Sequence, residues 1–162
     1  MGPTCWQAID ASALLWRLHL RGADIGQRWQ ELAHAWKARN ADGHYVFNDV
    51  HALMAYLGAD DQEAIQALLA TMETAAAGQN TNAMMTRDVG LPTAHGLIAY
   101  QSGKYGDAIS HLLDIGLIAH RFGGSHAQRD IIDLTLIEAA IRGGEKSLAN
   151  ALAAQRLAQK PT

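Results

Sequence analysis

Residues 96–113 read GLIAYQSGKYGDAISHLL. Two apolar stretches at helical spacing flank Ser102-Gly103-Lys104, and small residues sit at chosen places in both. Gly96 lies on the first stretch, Gly103 at the bend, Tyr105 just beyond it, and Ala108 and Leu112 on the second. The spacing predicts two antiparallel helices that cross closely at Gly96 and Ala108, with Tyr105 filling the wedge beside the bend. Gly103 supplies the left-handed turn that ends the first helix.

The rest of the chain carries the same punctuation. Its 162 residues suffice for one domain or one stack of repeats with a core. Apolar residues make up 49% and aromatics only 6%, with three prolines and few β-branched runs, which favours an all-helical chain. Breakers divide it into eight helical segments, expected over about 9–21, 25–39, 48–57, 60–77, 81–102, 104–122, 125–142 and 145–159. Gly90 and Pro92 mark a kink in the fifth. The loop at 40–44 has Asn-Ala-Asp-Gly turn chemistry.

These segments pair as four hairpins, and a weak internal repeat supports the pairing. Asp10-Ala11, Asp49-Val50, Asp88-Val89 and Asp130-Ile131 stand near the leading helices at separations of 39, 39 and 42 residues. A polar residue precedes three of them: Asn48, Arg87 and Arg129. Glycine follows at each bend, at Gly22, Gly58, Gly103 and Gly143. A constant period with one feature per period is the mark of a solenoid. The offsets in the third unit are tetratricopeptide-like, and Gly144, Ala149 and Pro161 keep them in the fourth. The period is longer than the usual ~34 residues of that repeat. The expected fold is therefore all-α: a tetratricopeptide-like right-handed α-α superhelix of about eight helices in four hairpins. It forms a single domain over 9–161 after an N-terminal tail at 1–8.

The segments LLWRLHLRGADIGQRWQELA, YVFNDVHALMAYLGA, RDVGLP and GGSHAQRD, in that order, resemble the C-terminal half of the tetratricopeptide repeat protein 38 family and its bacterial relatives. The likeness runs from about Ile9 to Pro161, and RDVGLP and GSxAQRD are its most specific parts. The resemblance implies an α-α superhelix and a fragment or short relative of a longer chain. It implies no established activity, catalytic residue or cofactor.

GGSHAQRD, at 123–130, has the makings of a site and of a helix start. Gly123-Gly124 ends one helix, Ser125 caps the next, and Gln128 completes a capping box. Arg129 is expected to pair with Asp88 of the preceding unit, and Arg87 with Asp49, so that each unit is held in register with its neighbour. The same residues allow chemistry. His51, His95 and His126 sit near the repeated aspartates on leading helices, which line the inner surface of such a superhelix. Imidazole beside carboxylate suits acid–base work or metal ligation. Yet there is no HExxH, no pair of histidines at i, i+4, no Walker loop and no dinucleotide fingerprint. Cys5, the single cysteine, excludes an internal disulfide.

Trp16 and Trp29 are expected to clamp the first two helices, while Trp6 and Trp36 form an apolar patch toward an upstream repeat. Met54, Met72, Met84 and Met85 are expected to fill core gaps. His19, His34, His44, His111 and His120 are expected at the surface or at edges.

The formal net charge of -3, without a basic tract, points away from nucleic acid and anionic membrane. No apolar run reaches the ~20 residues of a membrane span. With no signal peptide, a cytoplasmic protein is expected. The expected function is a non-enzymatic scaffold, without cofactor, that holds a protein or peptide partner or a small ligand on its concave face. Homodimerisation through an uncovered end of the stack is a further expectation. The groove lining is expected to comprise Asn48, Asp49, His51, Arg87, Asp88, Thr93, Leu97, Tyr100, Gln101, His126, Gln128, Arg129 and Asp130. The rival expectation is a hydrolase-like or metal-binding protein centred on Asp49, His51, Asp88, His126 and Arg129.

Overall fold

The computed structural model describes residues 5–39, 43–122 and 124–159, with the backbone alone at residues 5, 6, 117, 122, 126 and 159. Expectations for residues 40–42, Gly123 and Pro161, and for the side chains of Cys5, Trp6 and His126, lie outside the described residues. The described secondary structure is helical throughout, with no strand. In chain order the helices are α1 (Cys5–Leu20), α2 (Arg28–Lys37), α3 (Val46–Gly58), α4 (Gln62–Ala76), α5 (Thr81–Met85), α6 (Leu91–Gln101), α7 (Tyr105–Leu112), α8 (His126–Arg142) and α9 (Lys146–Gln159). α5 and α6 are two halves of one helix joined by a π turn over Thr86–Gly90, so the four hairpins stand as expected.

Local chemistry explains most boundaries. Asp61 and Asn80 accept the amides of Ala64 and Ala83 and so cap α4 and α5. Pro92 has no N–H to return to the fourth carbonyl before it, and the wide π turn precedes it. Gly90 lies against Val46 of α3, where an added Cβ would come within 2.1 Å of the valine Cγ2. The hairpin of α6 and α7 matches its sequence closely. A Cβ on Gly96 would fall 2.4 Å from Leu112 Cδ2, Ala108 is fully buried, and the Tyr105 ring packs 5.7 Å from Tyr100.

Four boundaries differ from expectation. α1 already begins at Cys5, with Ala8 and Ile9 buried, so residues 5–8 of the expected tail are helix. At the second bend Asp60, not Gly58, takes the left-handed conformation (φ 55°). Gly58 instead makes room for the Trp29 ring, 2.1 Å from where a Cβ would be. At the last bend it is Gly144 rather than Gly143 that has positive φ. The helix expected over 104–122 stops at Leu112 and continues as short 3-10 turns at Ile115–Leu117 and Ala119–Phe122, because Asp114 and Gly116 are poor helix formers.

The leading helices form a closed ring: α1 packs on α3, α3 on α6, α6 on α8, and α8 back on α1. The trailing helices cover it. α2 lies on α1 and α3, α4 on α3 and α6, α7 on α6 and α8, and α9 on α8. Trp16 is the hub. It is fully buried, its ring contacts Trp29 and Tyr100, and its indole N–H donates to Thr135 Oγ1 of α8 at 2.9 Å. Trp36 is also core, not an outward patch, since its N–H donates to the buried Ser12 hydroxyl at 3.0 Å. Met54 and Met72 are fully buried, whereas Met84 is exposed. His34, His44, His111 and His120 lie on the surface.

Candidate functional site

The ring decides where the expected groove residues fall. Thr93 and Leu97 are fully buried, and Tyr100 is nearly so. The Thr93 hydroxyl donates to the Val89 carbonyl, 2.7 Å away and one turn back. Tyr100 lies between Trp16 and Tyr105 with the Arg142 guanidinium 5.3 Å above its ring, and burial pushes its hydroxyl well above the usual pKa. Gln101 is exposed, and its Oε1 sits 2.9 Å from His19 Nε2, tying α6 to α1. The inner faces of the leading helices are thus packed on one another, and the expected concave groove is filled.

The rival cluster is dispersed. His51 is fully buried, with its ring 4.4 Å from the Phe47 ring. Its Nδ1 must carry the proton, because it lies 2.7 Å from the Phe47 carbonyl, which can only accept. Nε2 is then a bare acceptor, sealed in without a hydrogen-bond partner. Burial is the main reason the imidazole pKa falls to about 4. Asp49 is 2% exposed and accepts the Gly43 amide at 3.0 Å, with half-buried Asn48 beside it in the first turn of α3. Asp88 is exposed in the π turn. No three His, Cys, Asp or Glu side chains converge as a metal-binding group among the described residues.

The expected register pairs are also replaced. Arg87 donates to the carbonyls of Ala76 and Gly78, closing the end of α4. Arg129 donates to the Gly124 carbonyl. Ion pairs among the described residues include Lys37–Asp61, Arg142–Glu138 and Arg156–Asp130. The four repeated aspartates therefore serve four different ends. Asp10 receives Gln128 Nε2 of α8 at 3.1 Å, Asp49 holds its own entry loop, Asp88 faces solvent, and Asp130 binds α9. GGSHAQRD is a helix start and a fastener. Ser125 and Gln128 form the capping box, and Gln128 also reaches α1.

What the fold does gather lies on the outside, over α8. α7 is only eight residues long, and α7 and α9 make no extended contact, so the outer layer parts between them. The gap is a cleft of about 190 Å³. Leu113, Leu136, Ile137 and Leu152 give it apolar walls. Asp133, Gln155 and Arg156 give it polar ones, and Gly116 of the 3-10 turn completes the lining. Arg156 is held rigidly, with Nε and one terminal nitrogen on the two oxygens of Asp130 at 2.6 and 2.7 Å. Half-burial raises the Asp133 carboxyl above its ordinary pKa, and the nearby Asp130 charge adds to the rise while Arg156 opposes it. Arg17 of α1 stands behind Asp130, bound to the carbonyls of Ala13 and Ala127.

Two other hollows are shallower. One of about 540 Å³ between α2 and the α3–α4 bend is spanned by the Lys37–Asp61 pair at 2.6 Å. One of about 410 Å³ lies between Gly43-His44 and α4. Neither places a buried polar group against an apolar wall. Of the expected lining, only Asp130 borders the α8 cleft, through Arg156. Asp133 and Arg156 were legible as an acid at i+3 from Asp130 and a cation near the end of the last helix, and Gly116 as a breaker inside an apolar run.

No helix among the described residues is long and apolar enough to cross a membrane. No protein-family model matches the chain. No solved structure matches it either.

Proposed function

We propose that this protein is a non-catalytic helical-repeat module of tetratricopeptide-like build, which binds a protein or peptide partner through the cleft over α8. The likeness to the tetratricopeptide repeat protein 38 family belongs to the same proposal, as the origin of the hairpin build. Four hairpins whose leading helices contact their successors and carry trailing helices on one side support it. The curl of the stack moves the binding surface outward, since a filled inner face has no room for a partner.

One observation carries the reading: the outer layer is interrupted where α7 stops at Leu112, leaving a notch over α8 beside the exposed Leu113. Leu113, in the cleft lining, is 44% exposed. A peptide side chain or short helix edge fits such a notch.

The test is site-specific photo-crosslinking. A photoreactive residue at position 113 is expected to capture one protein species, and the same residue at the equally exposed Met84 is not. Leu113→Glu is expected to abolish recovery of that species, while Met84→Glu leaves it unchanged. Equal capture at both positions, or recovery insensitive to Leu113→Glu, would refute the assignment of the surface.

A further inference from the structure

Resting on that reading, we propose that the cleft over α8 receives the side chain of a partner lysine, with its methylene stem along the apolar walls and its ammonium against Asp133.

Size comes first. Ligand pockets for whole small molecules run to roughly 300–1,000 Å³, and this cleft holds about 190 Å³. It suits one side chain. Its walls are aliphatic, from Leu113, Leu136, Ile137 and Leu152, so they match a straight run of methylenes.

Charge then selects the head group. The cleft holds one carboxylate and one guanidinium, and the guanidinium already commits two of its three nitrogens to Asp130. Both of its bonding nitrogens lie on Asp130, at 2.6 and 2.7 Å. Asp130 is bound by Arg156 and also feels the charge of Arg17, whereas Asp133 feels Arg156 without an ion pair to it, with Asp130 opposing. Asp133 therefore stands at the wall with no ion pair of its own among the described residues. A neutral apolar side chain would cover that carboxylate and leave it desolvated without compensation. An acidic side chain would add a second like charge. A guanidinium carries the same charge, but its wide planar fork suits a cleft of about 190 Å³ less well than a compact ammonium does. A compact ammonium on a narrow stem gives Asp133 a direct partner.

Access is also built in. A Cβ at Gly116 would sit 3.7 Å from Asp133 Oδ1, so any larger side chain there would lie across the carboxylate. Glycine keeps that approach open.

The experiment titrates the isotope-labelled full chain with three probes: N-acetyl-lysine methylamide, its norleucine counterpart with the same stem and no charge, and n-butylammonium. The expected result is saturable shifts at Gly116, Leu113 and Leu152 with the lysine probe, at roughly millimolar affinity, and at least tenfold weaker binding of norleucine. Bound lysine is also expected to lower the midpoint of the Asp133 carboxyl titration, followed by its carbon resonance. Asp133→Asn is expected to cost about tenfold or more. Gly116→Leu, which leaves the charge in place and changes only an exposed loop residue, is expected to block binding as well. Equal binding of lysine and norleucine, or binding unchanged by both variants, would overturn the ammonium assignment while leaving the docking surface standing. Butylammonium binding as well as the lysine probe, or better, would overturn a peptide lysine in favour of a free amine. No shift at the cleft with any probe would overturn the inference outright, and the crosslinking at position 113 judges the docking surface independently.

Discussion

Acidification is expected to unfold this protein partly through a single imidazole. The native His51 ring titrates near pH 4 because its charged form would be buried, whereas an unfolded histidine titrates near 6.5. The native state therefore binds fewer protons than the unfolded chain between those values, and stability falls as pH falls through that window. The full difference corresponds to about 3 kcal/mol, with a steepest slope of about 1.4 kcal/mol per pH unit. That is a large share of the roughly 5–15 kcal/mol that holds a domain together. The charges that act on the ring are weaker and opposed: Arg17 disfavours the proton and Asp10 favours it. The perturbation is His51→Leu. It removes the titrating group and the stranded Nε2 acceptor, and near neutral pH it is expected to change stability by less than about 2 kcal/mol. Urea unfolding followed by circular dichroism at several pH values between 7.5 and 4 gives the comparison. The wild type is expected to lose about 3 kcal/mol more than the variant across that range, since carboxylates common to both cancel. Parallel pH profiles, or a His51 resonance that titrates near 6.5 in the folded protein, would refute the reasoning.

Three further outcomes follow from packing and capping. Gly58→Ala puts a Cβ 2.1 Å from the rigid Trp29 ring, so a loss of about 1–3 kcal/mol in chemical denaturation is expected. Thr135→Val keeps the shape of the side chain but leaves the buried Trp16 indole N–H without an acceptor, and a loss of about 1–3 kcal/mol is expected, read by tryptophan fluorescence during unfolding. Ser125→Ala removes the cap of α8, and about 1 kcal/mol is expected to go, measured as a lower urea midpoint with unchanged slope.

Much of the fold was legible where residue spacing and local chemistry coincide. Gly96, Tyr105, Ala108 and Leu112 foretold the α6–α7 crossing because a close approach needs small residues at fixed offsets. Ser125 and Gln128 foretold the start of α8 because a cap is a matter of three residues. The end of α7 was missed although Gly116 announced it, since the apolar pattern ran on past the break. The repeated aspartates shared a position but not a partner. An acid early in a helix is favoured by the exposed amides there, whatever lies opposite it. The filled inner face was not legible at all. It depends on Trp16 meeting Thr135, a contact between residues 119 apart that leaves no periodic trace in either helix. The cleft over α8 was missed for the same reason, because Asp133 and Arg156 gain meaning only once α7 and α9 stand apart.

The bond from Trp16 to Thr135 also bears on how the chain reaches its fold. An open array can begin folding at any unit and can lose a terminal one at modest cost. Here the first and fourth units touch, so the contact that completes the core also closes a loop between residues 119 apart. Such long-range closure slows folding and makes melting concerted. Deleting the final hairpin is therefore expected to unravel the first, rather than yield a shorter stack of three.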